Sequence, residues 1–158
     1  MTKIAEIKPV LRAVARILAL DTTPDKLLEG APFQVNGQTF SLQQPPGDGA
    51  AGMIVVRSEL GTVPEAKRLQ VYEMLLRSNA LSSGAFSPVA GMQLDGSALV
   101  MDMALPLATL DAGMLHGVLE RMASSAEIWK GTQGFTQALD GTELLPPSAI
   151  PATGQAVH

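Results

Sequence analysis

Apolar residues recur at three- and four-residue steps near the start of the chain: Ile4, Ile7, Leu11, Val14 and Leu18. That spacing predicts an amphipathic helix over Ile4 to Leu20, with Lys3, Glu6, Arg12 and Arg16 mostly on the other side. Pro9 fits only in the first turn, so the regular helix is expected to begin near Lys8. Thr23-Pro24-Asp25 reads as a cap and a first-turn proline. The short turn through Leu27 and Leu28 that follows should end at Gly30.

The period then changes from 3.6 to 2. Asn36-Gly37 is a strong hairpin signal, because both turn positions need positive φ. Counting outward pairs Val35 with Gln38 and Phe33 with Phe40. Both Phe and Val35 then share one sheet face. Pro45-Pro46-Gly47-Asp48-Gly49 reads as a loop, and Met53-Ile54-Val55-Val56 as a third strand. Thr62-Val63-Pro64-Glu65 has the form of a capping box opening a second helix. Leu69, Tyr72, Leu75 and Leu76 would be its buried stripe, and Asn79 its left-handed terminator. A second hairpin turns at Asp95-Gly96, pairing Leu94 with Ser97, Met92 with Leu99 and Ala90 with Met101. Leu94, Met92, Leu99, Met101 and Met103 are expected on one face; Val89, Gln93, Val100 and Asp102 are expected on the other. Asp111 should cap a third helix, with Leu110 and Leu115 as a hydrophobic staple. Leu115, Val118, Leu119, Met122, Ala126 and Trp129 would form the buried stripe of that helix, and Lys130 and Gly131 its end. The order helix, three strands, helix, two strands, helix predicts an α+β fold with a twisted, mainly antiparallel sheet flanked by helices. One domain is expected over residues 1–133, and a Pro/Gly/Ala-rich flexible tail over 134–158.

Composition narrows the function. The 158 residues contain no cysteine and carry a net charge of −4. This excludes disulfides and thiolate chemistry, fits a reducing compartment and makes nucleic acid a poor partner. No 20-residue apolar run exists and charges interrupt the first segment, so neither membrane insertion nor a signal peptide is expected, and the cytoplasm is. Hydrophobic residues make up 46% against 16% charged, with eight Met. Met fills cores and also makes surfaces that adapt to varied partners.

Candidate chemistry is thin. Gly47-Asp48-Gly49-Ala50-Ala51-Gly52 matches G-x-G-x-x-G, but two prolines precede it and a strand follows, the wrong context for a dinucleotide. His116 lies on a helix face and His158 in the tail, which is no ligand pair. The carboxylates fall in caps, turns and helix faces, and no G-x-S-x-G elbow is present. No catalytic residue, metal or cofactor is expected.

Four stretches carry a resemblance. They are Leu75-Leu76-Arg77-Ser78-Asn79-Ala80-Leu81, Gly91-Met92-Gln93-Leu94-Asp95-Gly96, Leu105-Pro106-Leu107 with Leu110-Asp111, and Leu115 through Val118-Leu119-Glu120-Arg121 to Ala126-Glu127 and Trp129. In that order and spacing, the segment from Glu73 to Trp129 resembles the small type III secretion chaperones, the group named for the Tir chaperone. The loop at 45–52 and the tail beyond 133 depart from the pattern. The resemblance implies a bacterial cytosolic homodimer. It would hold a non-globular N-terminal segment of one or more type III effectors without ATP or cofactor, keeping them soluble and export-competent. Components of the secretion apparatus are a further partner class that it brings in. By the same analogy cargo would lie over the first helix and first three strands, at Val14, Leu18, Phe40, Ile54 and Val56. The second helix and second hairpin would form the dimer, through Val71, Leu75, Val100 and Asp102. The contrasting expectation is a small α+β module for an apolar ligand or a folded regulatory partner.

Overall fold

The computed structural model describes residues 4–45, 52–82, 86–96 and 98–130. A 3-10 turn (Ile4–Ile7) leads into α1 (Lys8–Ile17), which has Pro9 in its first turn. Next comes the short α2 (Pro24–Leu28), where the Thr23 side chain accepts a hydrogen bond from the Lys26 N–H at 3.4 Å. Three strands follow, β1 (Phe33–Val35), β2 (Gln38–Gln43) and β3 (Met53–Gly61). After a 3-10 turn (Glu65–Lys67) comes α3 (Arg68–Leu81), then β4 (Val89–Met92), β5 (Leu99–Pro106) and the long α4 (Ala112–Lys130). The α+β expectation holds. The proposed boundary at 133 and the tail lie outside the described residues.

One antiparallel sheet runs in the order β1-β2-β3-β5-β4. The first hairpin has the register counted from the sequence, with Val35 opposite Gln38 and Phe33 opposite Phe40. Asn36 and Gly37 both take positive φ, as a two-residue turn of this hand demands. The two Phe rings stack with centroids 5.9 Å apart. The inner face (Phe33, Val35, Phe40, Leu42, Ile54, Val56, Met101, Met103, Leu105) is buried together with Leu11 and Val14 of α1. Leu115, Val118, Leu119, Met122 and Trp129 of α4 complete that core. Asp111 caps α4, accepting from the Met114 N–H at 2.7 Å, and Leu110 and Leu115 are both buried as the staple requires.

Gln38 and Ser58 are polar side chains buried beside this core. Gln38 donates to Ser58 Oγ at 2.9 Å and also to the Glu59 carbonyl. The β3 register shifts between Glu59 and Gly61. Such a bulge interrupts the ladder locally, and Gln38 supplies a donor beside it.

Four expectations need correcting. Strand β3 runs on to Gly61, well past Val56, so Thr62 does not open a helix. The α3 helix begins at Arg68 and its N-cap has no side-chain bond. Its buried positions are Val71, Met74, Leu75 and Ser78, whereas Leu69 and Leu76 are 85% and 69% exposed. Asn79 does not terminate the helix, which continues to Leu81. The second hairpin keeps its register, Ala90 opposite Met101 and Met92 opposite Leu99. Its turn is wider, however: Gln93 N–H bonds to the Ala98 carbonyl at 2.9 Å, and the Gly96 N–H bonds to the Gln93 carbonyl at 2.8 Å. Leu94 therefore stands fully exposed at the tip, not on the buried face. The Leu94–Ser97 pairing lies outside the described residues.

Candidate functional site

The two edges of the sheet are the places where a foreign chain can meet backbone. At β1, the two-residue turn makes Val35 and Gln38 a hydrogen-bonded pair, and Phe33 with Phe40 the next one. Gln34 faces Thr39 in the intervening pair, so its own N–H and C=O point away from β2. Among the described residues nothing accepts from or donates to them. The Gln34 side chain is exposed on the outer face, with its amide 3.4 Å from Thr39 Oγ1. Phe33 and Val35, on either side of it, are anchored in the core. The result is an open, rigidly backed edge.

At β4 the groups that point away from β5 belong to Ala90 and Met92, because Gln93 bonds inward to Ala98 and the pairs alternate from there. The Ala90 N–H donates to Asn79 Oδ1 at 2.8 Å, and Asn79 Nδ2 donates to the Ala90 carbonyl at 2.7 Å. One carboxamide from the last turn of α3 takes both.

Around β4 the surface is apolar. Leu69 and Leu76 are seven residues apart, so they lie along one line of α3. Val89 and Met92 of β4 are 49% and 43% exposed, and Leu94 projects from the hairpin tip. With Leu81, Phe86 and Ile128 they make up the exposed large apolar side chains of the described residues from α3 onward. Sequence periodicity missed this surface by assigning Leu69 and Leu76 to the buried stripe and Leu94 to the inner face. The readable signal was that α3 carries apolar residues on two opposite sides, more than one core contact needs.

The residues expected to touch cargo are placed differently from a surface set. Val14, Phe40, Ile54 and Val56 are buried in the core of the single chain, and Leu18 is partly buried against it. Of the expected dimer residues, Val71, Leu75 and Val100 are buried. Asp102 is half-buried and forms a cross-strand ion pair with Arg57, with Nε–Oδ1 at 2.8 Å and Nη2–Oδ2 at 2.7 Å. That two-pronged bond with Asp102 raises the Arg57 guanidinium above its ordinary range; burial opposes this, and the charge of Asp102 adds to it. Arg57 and Asp102 lie on the outer sheet face, near a groove of about 470 Å³ lined by Met53, Val55, Phe86 and Ala104.

Among the described residues, no grouping of His, Asp or Glu side chains competes with these edges. His116 is half-buried, 3.5 Å from Glu120 one helical turn away. Among the described residues no three His, Asp or Glu side chains gather as metal ligands. None of the described helices is long and apolar enough to cross a membrane. The Gly47–Gly52 loop lies outside the described residues except for Gly52.

Residues 11–130 match the sequence pattern of the Tir chaperone protein (CesT) family. No curated protein sequence matches the chain. Among solved structures, the chain is similar to the HopA1–SchA chaperone–effector complex. That likeness has a TM-score of 0.60 at 13% identity and covers 82% of this chain and 98% of the other. It is also similar to the Yersinia pestis type III secretion chaperone SycH in complex with a stable fragment of YscM2. There the TM-score is 0.56 at 17% identity, covering 77% and 98%. At these identities the likeness establishes a shared fold.

Proposed function

The chain belongs to the Tir chaperone protein (CesT) family, and on that premise we propose that it is a cytoplasmic, non-enzymatic chaperone for type III secretion. It binds an extended segment of an effector and needs no ATP. The observation that carries this reading is the open β1 edge at Gln34, backed by the buried Phe33 and Val35. An extended chain placed there completes the outward hydrogen bonds of the edge by adding a strand, a mode that tolerates many sequences. The chaperone relatives seen in complex support the same reading.

Backbone ordering costs about 1–2 kcal/mol per residue, and a three-residue edge cannot offset that for a long segment. The cargo therefore continues over α1 and β1–β3. Ile17 is exposed there and Leu18 half-exposed, while Val14, Phe40, Ile54 and Val56 hold the surface rigid from behind. A homodimer doubles the available length. Its contact uses the elements of the expected interface through their outward side chains, Leu69, Leu76, Met92 and Leu94. Val71 and Leu75 fix α3 from beneath, and Val100 and Asp102 support the strand beside the hairpin.

The test is co-expression with an exported protein encoded in the neighbouring reading frame, followed by limited proteolysis and sedimentation. The expected result is two chaperone copies bound to one protected N-terminal segment that is protease-sensitive when free. Leu76→Lys should convert the chaperone to monomer without unfolding it. A partner that is compact before binding, or a wild-type monomer, overturns the reading in favour of a regulatory module.

A further inference from the structure

The Asn79 carboxamide stands in for the N–H and C=O of one strand residue. It offers Oδ1 to the Ala90 N–H at 2.8 Å and Nδ2–H to the Ala90 carbonyl at 2.7 Å. Those are the two bonds that a residue on a sixth strand would make to β4. Strand β4 is four residues long and largely exposed, with Val89 and Met92 displaying apolar side chains. Exposed apolar edges of this kind pair with other chains unless something covers them. The cover here is held by a single side chain on the last turn of α3, two residues before the helix ends at Leu81. Ala90 is partly buried against the core, so the closed edge is also fixed in depth.

We infer that Asn79 is a specificity-determining residue: it closes β4 as a surrogate strand. Extended partners then add only at β1, and copies of this chain do not pair through β4. When Asn79 is removed, the occupant of the opened edge is a second copy. Antiparallel pairing of β4 with β4 across a two-fold axis is self-complementary: the outward N–H and C=O of Ala90 meet those of Ala90 in the second copy, with Val89 on one face of the joined sheet and Met92 on the other. The choice of edge for cargo rests on the proposed chaperone role. The closure of β4 does not, and its test reads β4 alone.

In the full chain, Asn79→Ala should speed hydrogen exchange of the Ala90 amide at least tenfold. The Gly91 amide, which faces β5, should be unchanged. Sedimentation should show association beyond the wild-type state, and adding Val89→Lys should reverse it, because charge on an edge strand blocks pairing. Asn79→Asp keeps the acceptor for the Ala90 N–H but loses the donor. It should raise association with smaller loss of Ala90 protection, and it serves if the Ala variant does not fold. Unchanged Ala90 exchange in Asn79→Ala, or unchanged association in both variants, overturns the proposal.

Discussion

The sheet ends in two strands of similar length that meet solvent in opposite ways. At β1, Phe33 and Val35 are sunk in the core and the Gln34 backbone is open. At β4, Ala90 is closed by Asn79 while Val89 and Met92 lie bare. One edge offers hydrogen bonds on a rigid support, and the other offers apolar side chains with the central hydrogen bonds, those of Ala90, withdrawn. Backbone groups take any extended sequence, whereas apolar side chains fit a surface of matching shape. A single sheet can thus separate a site for variable extended chains from a site for one constant folded partner.

The largest expected effect comes from removing the support of β1. Phe40 is almost wholly buried and stacks on Phe33. Phe40→Ala should cost about 3–5 kcal/mol of stability, read from urea unfolding. The loss should fall hardest on protection of β1 and β2 amides, leaving those of the β4–β5 hairpin nearer wild type. Uniform loss across both hairpins would show that the edges are not independently supported.

Gln34→Pro sharpens the comparison. The Gln34 N–H makes no ladder bond, so proline removes nothing that the hairpin uses, and edge strands tolerate it. For an added strand it deletes the donor and places a ring in the way. Effector affinity should fall about 10- to 100-fold, equivalent to about 1.5–3 kcal/mol. The midpoint of urea unfolding should stay within experimental scatter of wild type. Unchanged affinity, measured by titration calorimetry with the effector segment, would remove β1 from the binding site.

Much of this architecture is legible in the chain because it is locally determined. Asn36-Gly37 fixes the first hairpin and its register, Asp95-Gly96 locates the second, and Asp111 with Leu110 and Leu115 marks the start of α4. The start and phase of α3 were not legible. Thr62 to Glu65 has the spacing of a cap, but β3 continues through a bulge to Gly61, held by long-range pairing with β5 that no local motif announces. With apolar residues on both sides of α3, periodicity alone cannot tell Leu69 and Leu76 from Val71 and Leu75. The residues that the family resemblance places under cargo, Val14, Phe40, Ile54 and Val56, are buried in the single chain, and no sequence pattern separates core from contact at such positions. Asn79 reads in the sequence as a helix terminator, which it is not. Its role at Ala90 depends on bringing β4 alongside, which is a tertiary fact.

The smallest expected effect lies midway between the edges. Arg57 and Asp102 bridge β3 and β5, the longest pairing of the sheet, and join the half carrying β1 to the half carrying β4. Cross-strand charge pairs on partly exposed faces contribute about 0.2–1 kcal/mol, so Asp102→Ala should destabilise by about 1 kcal/mol at most. The raised Arg57 value gives this contribution a definite pH sign. A cation whose folded pKa is raised contributes fully below its unfolded pKa and loses that contribution only as pH rises through the folded one. From the Arg57 side, the difference between wild type and Asp102→Ala should therefore stay flat from neutral pH to the alkaline limit of unfolding experiments. A difference that shrinks between pH 7 and 10 would mean that another titrating group contributes to the join. The two edges would then be coupled through more than this one pair.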